Sequence, residues 1–178
     1  YELDLEYKVS ANRLSGAATV TAATLASLKT FTLDLADSLT VSKVSVNGHR
    51  PQFRHTGGKL QVTLPSALPA GAAMSVQVRY AWNPRPIRSL WGEVGCEELS
   101  NGALVAGQPN GAASWFPCDD HPSSKASYRI QIATDNPYHT VANGKLVSKR
   151  TRAALTTWTY ELAEPTSTYL VTPQIGEY

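Results

Sequence analysis

A chain of 178 residues can bury one sizeable core, and as an all-β arrangement it can remain a single domain over residues 1–178. Sixteen Lys and Arg against fourteen Asp and Glu leave a formal charge of +2, too weak and too dispersed to argue for a nucleic-acid partner. The hydrophobic fraction is 42%, yet no apolar run reaches spanning length and Tyr1 to Leu5 is unlike a signal peptide, so no membrane segment is expected and the chain reads as soluble, with the cytoplasm slightly favoured over secretion.

Tyr1, Leu3, Leu5, Tyr7 and Val9 alternate with charged residues, the period-2 pattern of a strand with one buried and one wet face. After a turn at Ala11-Asn12-Arg13, the Ala- and Thr-rich stretch from Leu14 to Leu28 would tolerate a helix, but Gly16 and Thr19-Val20-Thr21 favour a strand. Phe31, Leu33 and Leu35 mark the next strand, and Val41, Val44 and Val46 another that ends at the Asn47-Gly48 turn. A hairpin is expected from Gln52-Phe53-Arg54 through Gly57-Gly58 to Leu60, Val62 and Leu64, and then a loop from Pro65 to Ala73. Met74, Val76, Val78 and Tyr80 form a further strand in what reads as an antiparallel meander.

From Trp82 to Pro122 the alternation stops, and about forty residues of irregular structure are expected, long enough to be functional. Order returns at Tyr128, Ile130 and Ile132, turns at Asp135-Asn136-Pro137, and continues from Val141 through a hairpin at Asn143-Gly144 to Leu146 and Val147. Thr156, Trp158, Tyr160 and Leu162 make another strand, and a final one near Tyr169-Leu170-Val171 runs towards Gly176. About ten short strands without an amphipathic helix predict an all-β fold, a β-sandwich or large curved sheet, mostly antiparallel.

The densest segment is Gly107 to Pro122, where Pro117 and Pro122 exclude a helix and Trp115 and Phe116 are too apolar for an idle loop. Cys118, Asp119, Asp120 and His121 place a thiol, two carboxylates and an imidazole side by side. Consecutive residues do not converge on one reacting atom, so the expected role is structural, with Asp120 capping backbone amides between the prolines. Cys96 and Cys118 are expected as free thiols, although pairing stays open. His49, His55, His121 and His139 lack zinc-ligand spacing, so no metal site is expected; His49 and His55 read as surface residues and Glu97-Glu98 as part of a solvated loop. Tyr7, Trp158 and Tyr160 read as core. Trp82, Trp91 and Trp115 leave a second possibility open, a free-standing β-sandwich module that binds carbohydrate or protein.

With these segments in order, the sequence resembles the N-terminal domain of the aminopeptidase N family of zinc metallopeptidases, the gluzincin aminopeptidases. The likeness rests on Tyr1-Glu2-Leu3-Asp4-Leu5, Leu14-Ser15-Gly16, Val44-Ser45-Val46-Asn47-Gly48, and Leu64-Pro65 with Leu68-Pro69-Ala70-Gly71. It continues through Trp115-Phe116-Pro117-Cys118-Asp119-Asp120-His121-Pro122, Lys125-Ala126, Asn143-Gly144, Pro165-Thr166-Ser167-Thr168-Tyr169-Leu170 and Ile175-Gly176. Ala113 and His121 depart from the family pattern, where arginine and glutamate are common.

The resemblance implies a saddle-shaped β domain that packs against a thermolysin-like catalytic domain and walls one side of its substrate channel. It implies zinc in that catalytic domain and none in this chain, since the H-E-x-x-H and G-A-M-E-N motifs do not occur here, so the chain alone should be inactive. The partners it implies are the catalytic domain of the same polypeptide and the N-terminus of a peptide substrate. In the family a Gln or Glu nine residues before the proline of the F-P-C motif helps bind the substrate ammonium, and Gln108 holds that position; its role as a plain turn residue before Pro109 stays equally open.

Overall fold

The computed structural model describes residues 1–90 and 92–178, and the binding role weighed for Trp91 lies outside the described residues. In chain order the strands are β1 (Glu2–Lys8), β2 (Arg13–Ala23), β3 (Leu28–Asp34), β4 (Thr40–Val46), β5 (Gln52–Thr56), β6 (Lys59–Leu68), β7 (Ala73–Trp82), β8 (Ile87–Ser89), β9 (Gly92–Leu99), β10 (Gly102–Ala106), β11 (Lys125–Asp135), β12 (His139–Ala142), β13 (Lys145–Arg152), β14 (Leu155–Ser167) and β15 (Pro173–Gly176). Single 3-10 turns occur at Val9–Ala11, Ala112–Ser114 and Thr168–Leu170. The all-β expectation holds, with more strands than the ten anticipated.

Three sheets share the core. A seven-stranded sheet runs β13-β14-β11-β1-β2-β7-β4, a five-stranded sheet β12-β15-β10-β9-β8, and a three-stranded sheet β3-β6-β5. The alternation read in β1 buries Leu3, Leu5 and Tyr7, and the same face of its neighbours contributes Ile130, Ile132, Ala18 and Val78. Tyr7 ties this sheet to the five-stranded one, its hydroxyl donating to the Gly102 carbonyl at 3.1 Å, as Tyr160 does to Thr140 at 2.8 Å. A phenol can bury its ring and still satisfy its oxygen in this way, which is why tyrosines serve at a sheet-to-sheet seam. Trp158 is buried, as expected of core.

Several expectations are corrected. The large sheet is mixed, because β1 pairs in parallel with β11 while β2 flanks it antiparallel, so the chain is not a simple meander. The stretch from Trp82 to Pro122 is not irregular throughout: it contains β8, β9 and β10. Alternation failed to announce β9 because Val94, Gly95 and Cys96 are buried in succession. Glu97 and Glu98 therefore sit on a strand, exposed as anticipated. Strand β6 continues through Pro65 to Leu68, beyond the end of its pairing with β5 at Thr63, where a missing amide costs no ladder bond on that side.

Asn143-Gly144 does not close a hairpin, since β12 pairs with β15 and β13 with β14, so the chain there crosses from one sheet to the other. Gly144 lies against the backbone of Glu161, where a Cβ would come within 2.3 Å of the carbonyl oxygen, and Asn143 Oδ1 accepts from the Thr172 amide at 2.7 Å. The dipeptide is used for close approach rather than for a tight turn. The strand expected near Tyr169 is a 3-10 turn with β15 starting at Pro173. His55 is only partly a surface residue: its Nε2 lies 3.0 Å from the Leu35 carbonyl.

Candidate functional site

The segment 107–122 leaves β10, packs against the end of β3 at Asp34 and the middle of β9 at Gly95 and Cys96, and leads into β11. Residues 111–118 are buried without interruption, whereas Gln108 at the start of the segment is exposed. Trp115 and Phe116 have no accessible surface and meet edge-to-face, ring centroids 4.5 Å apart at 71°. Phe116 meets Tyr1 edge-on at 5.4 Å, and Tyr1 stacks on Tyr128 at 5.3 Å, so an aromatic column joins the loop to β11. Such pairs add directionality to burial, fixing where the rings sit as well as that they are inside.

Backbone bonds fasten the loop to β3. The Asp34 amide donates to the Cys118 carbonyl at 2.7 Å, the Cys118 amide returns a bond to Asp34 at 3.1 Å, and the Ala36 amide donates to Ala113 at 2.9 Å. On the other side Ser114 Oγ donates to the Gly111 carbonyl at 2.7 Å and accepts from the Cys96 amide at 3.0 Å. Gly95 makes room for this: with φ near +103°, a Cβ there would fall 2.1 Å from Ser114 Oγ. Pro117 is buried in the loop, while Pro122 is exposed with its carbonyl accepting from Ser167 at 2.8 Å.

Asp120 is the polar centre of the segment. One carboxylate oxygen accepts from the amides of Gly111 at 2.9 Å and Ala113 at 3.3 Å, and its own amide donates to Asp34 Oδ2 at 3.0 Å. Burial pushes its carboxyl above the ordinary aspartate value, with the loop amides opposing and Asp34 assisting. Asp34 in turn is paired with Lys59, and Asp119 accepts from Ser124 Oγ at 2.5 Å. A cleft of about 600 Å³ opens here beside Asp34, Asp37, Lys59, Asn110 and Asp119, but its carboxylates are spent on internal bonds.

The thiol, carboxylates and imidazole of residues 118–121 do not converge. Cys118 is fully enclosed and burial raises its thiol well above the ordinary value, whereas the exposed His121 ring is 2.7 Å from Ser123 Oγ. Cys96 is likewise free and buried, its thiol pushed up to about 12 by desolvation. Neither supplies a thiolate nucleophile. Among the described residues no group of three or more His, Cys, Asp or Glu is arranged to hold a metal ion, and no helix is long and apolar enough to cross a membrane.

Three residues of the site, Asp34, Ser114 and Gly95, are not singled out by the sequence pattern. Asp34 ends an ordinary alternating strand, and nothing local marks it as the anchor of a loop 84 residues later, from Asp34 to Cys118. Ser114 and Gly95 carried a faint signal, a glycine inside a strand, which often marks close approach of another backbone or side chain. Trp82, weighed as a ligand-stacking residue, is buried and stacks on Tyr80 at 5.4 Å, and Trp115 is enclosed, so neither is available to a sugar ring.

The Peptidase M1 N-terminal domain model matches residues 97–170. Solved structures extend the likeness over the remainder. The M1 zinc metallopeptidase from Deinococcus radiodurans superposes with a TM-score of 0.89 at 27% identity, covering 98% of this chain and 41% of that one. A mutant of that metallopeptidase bound to a Tyr-Ser-Ala substrate gives 0.88 at 27% identity with the same coverage. A two-domain M1 zinc metallopeptidase mutant bound to L-arginine also gives 0.88 at 27%, covering 98% of this chain. The chain thus spans about 41% of the length of the structures it matches.

Proposed function

We propose that this chain is an N-terminal domain of the M1 metallopeptidase family and that residues 1–178 form a single non-catalytic domain of a zinc-dependent aminopeptidase. In this role it scaffolds the catalytic domain and lines one wall of the channel through which a peptide presents its free N-terminus. The observation that carries the proposal is the contrast within one segment: residues 111–118 are locked by packing and backbone bonds while Gln108, three residues upstream, is exposed. A rigid base that displays one amide side chain is what positioning a ligand group requires. Gln108 would offer its carbonyl oxygen to the substrate ammonium, a weaker acceptor than a carboxylate and one that holds no charge to desolvate.

Among the described residues no cluster fits a zinc site, so zinc chemistry would belong to the catalytic domain and no step of it is assigned to this chain. Two unpaired, buried thiols fit a reducing compartment and favour the cytoplasm over secretion. The purified chain is expected to bind no stoichiometric zinc and to release no product from aminoacyl chromogenic substrates; zinc-dependent turnover by it would overturn the proposal. In the full-length protein, Gln108→Ala is expected to raise KM for peptides while leaving zinc content, measured by atomic absorption, near that of the parent. Unchanged kinetics would reduce Gln108 to a turn residue.

A further inference from the structure

Strand β13 closes one end of the seven-stranded sheet, paired to β14 on one side and open on the other. Its residues, Lys145-Leu146-Val147-Ser148-Lys149-Arg150-Thr151-Arg152, hold four of the sixteen Lys and Arg of the chain and no acid. Among the described residues none of these four cations takes part in an ion pair. The near-neutral net charge therefore conceals a concentrated basic edge.

The pairing register places the cations on both faces of the strand. Lys149 lies opposite Trp158, whose ring meets His139 of β12 on the inner side, and its ammonium sits 4.1 Å from the indole centroid. Arg150 and Arg152 lie opposite Thr157 and Leu155, on the outer side. Leu146 and Val147 remain 43% and 44% exposed beside a register shift between Leu146 and Ser148. A planar anionic surface, such as a membrane, reaches the cations of one face only. An extended chain laid alongside β13 meets both faces, occupies its open backbone groups and covers the two aliphatic side chains.

We propose that the open edge of β13 takes an acidic extended peptide as an added strand. The partner is defined by its chemistry: carboxylates on both faces of a strand with a short aliphatic segment opposite Leu146 and Val147. This surface is independent of the channel role assigned to Gln108.

The probe is a fluorescein-labelled peptide, Glu-Thr-Glu-Glu-Thr-Val-Val-Glu, which sets a carboxylate opposite each cation in antiparallel register. Titrated with the full-length protein and followed by anisotropy, it is expected to bind saturably. Binding should weaken about tenfold when Gln replaces Glu in the peptide or when the protein carries Arg150→Glu with Arg152→Glu. It should be lost when alternate peptide amides are N-methylated, a change that keeps charge and removes strand pairing. The variant's far-ultraviolet circular dichroism is compared with the parent's, and the peptide controls decide the matter if it fails to fold. No binding of any peptide would leave the cations as guards against edge-to-edge aggregation and overturn the proposal. So would equal binding of the N-methylated peptide, or stronger binding to phosphatidylserine vesicles or duplex DNA.

Discussion

Trp115→Ala is expected to destabilise the domain by about 3–5 kcal/mol, the cost of emptying a fully enclosed indole site that neighbours can only partly refill. For a chain of this size each kcal/mol lowers the midpoint by roughly 2–4 °C, so the variant should melt roughly 6–20 °C below the parent in a calorimetric scan. The prediction separates two roles for the same residue. A tryptophan that stacks on a ligand is exposed, and its loss abolishes binding with little change in Tm. Trp115 instead meets Phe116 edge-to-face, and Phe116 passes the contact to Tyr1 and Tyr128. Its removal should therefore loosen the whole segment, including the turn that presents Gln108. A melting point within a degree or so of the parent would mean that the loop is not held by its aromatics, and the buttress reading would fail.

Much of this was legible in the chain itself, and what was not has a common cause. Period-2 alternation announced β1, β7, β11 and β14 because each has one face on a core and one in water. It failed for β9, where Val94, Gly95 and Cys96 are buried in a row because Ser114 packs onto Gly95 from a segment far along the chain. Asn143-Gly144 misled in the same way. Its local chemistry is that of a hairpin, yet the chain crosses between sheets there, and the glycine is required by close approach to the Glu161 backbone. At the site, the density of proline and aromatic residues marked 107–122 as special, and Asp120 was legible as a cap by its residue type. Asp34 was not, because its function is set by a partner, Cys118, that only the folded topology brings to it.

Asp120→Ala is expected to cost about 2–4 kcal/mol, since it leaves the amides of Gly111 and Ala113 without an acceptor, and each orphaned buried donor costs roughly 1–3 kcal/mol. Asp120→Asn keeps a carbonyl oxygen in place and should lose far less, which separates the acceptor from the charge. The pH dependence tests the same centre from another side. Burial raises the folded-state carboxyl above its unfolded value, so on acidification the native state takes up this proton before the unfolded chain does. The parent should therefore gain stability relative to Asp120→Asn as pH falls from neutral through the raised folded value, and the gain should level off below the unfolded value near 3.8. Protonated Asp120 still offers a carbonyl oxygen to both amides, so the loop survives the titration. A parent that loses ground to Asp120→Asn on acidification would show that the amides outweigh burial, making the ionised carboxylate itself the clamp. On the role proposed for Gln108, either alanine variant, at Trp115 or at Asp120, should raise KM in the full-length protein through misplacement of that residue while zinc content stays unchanged.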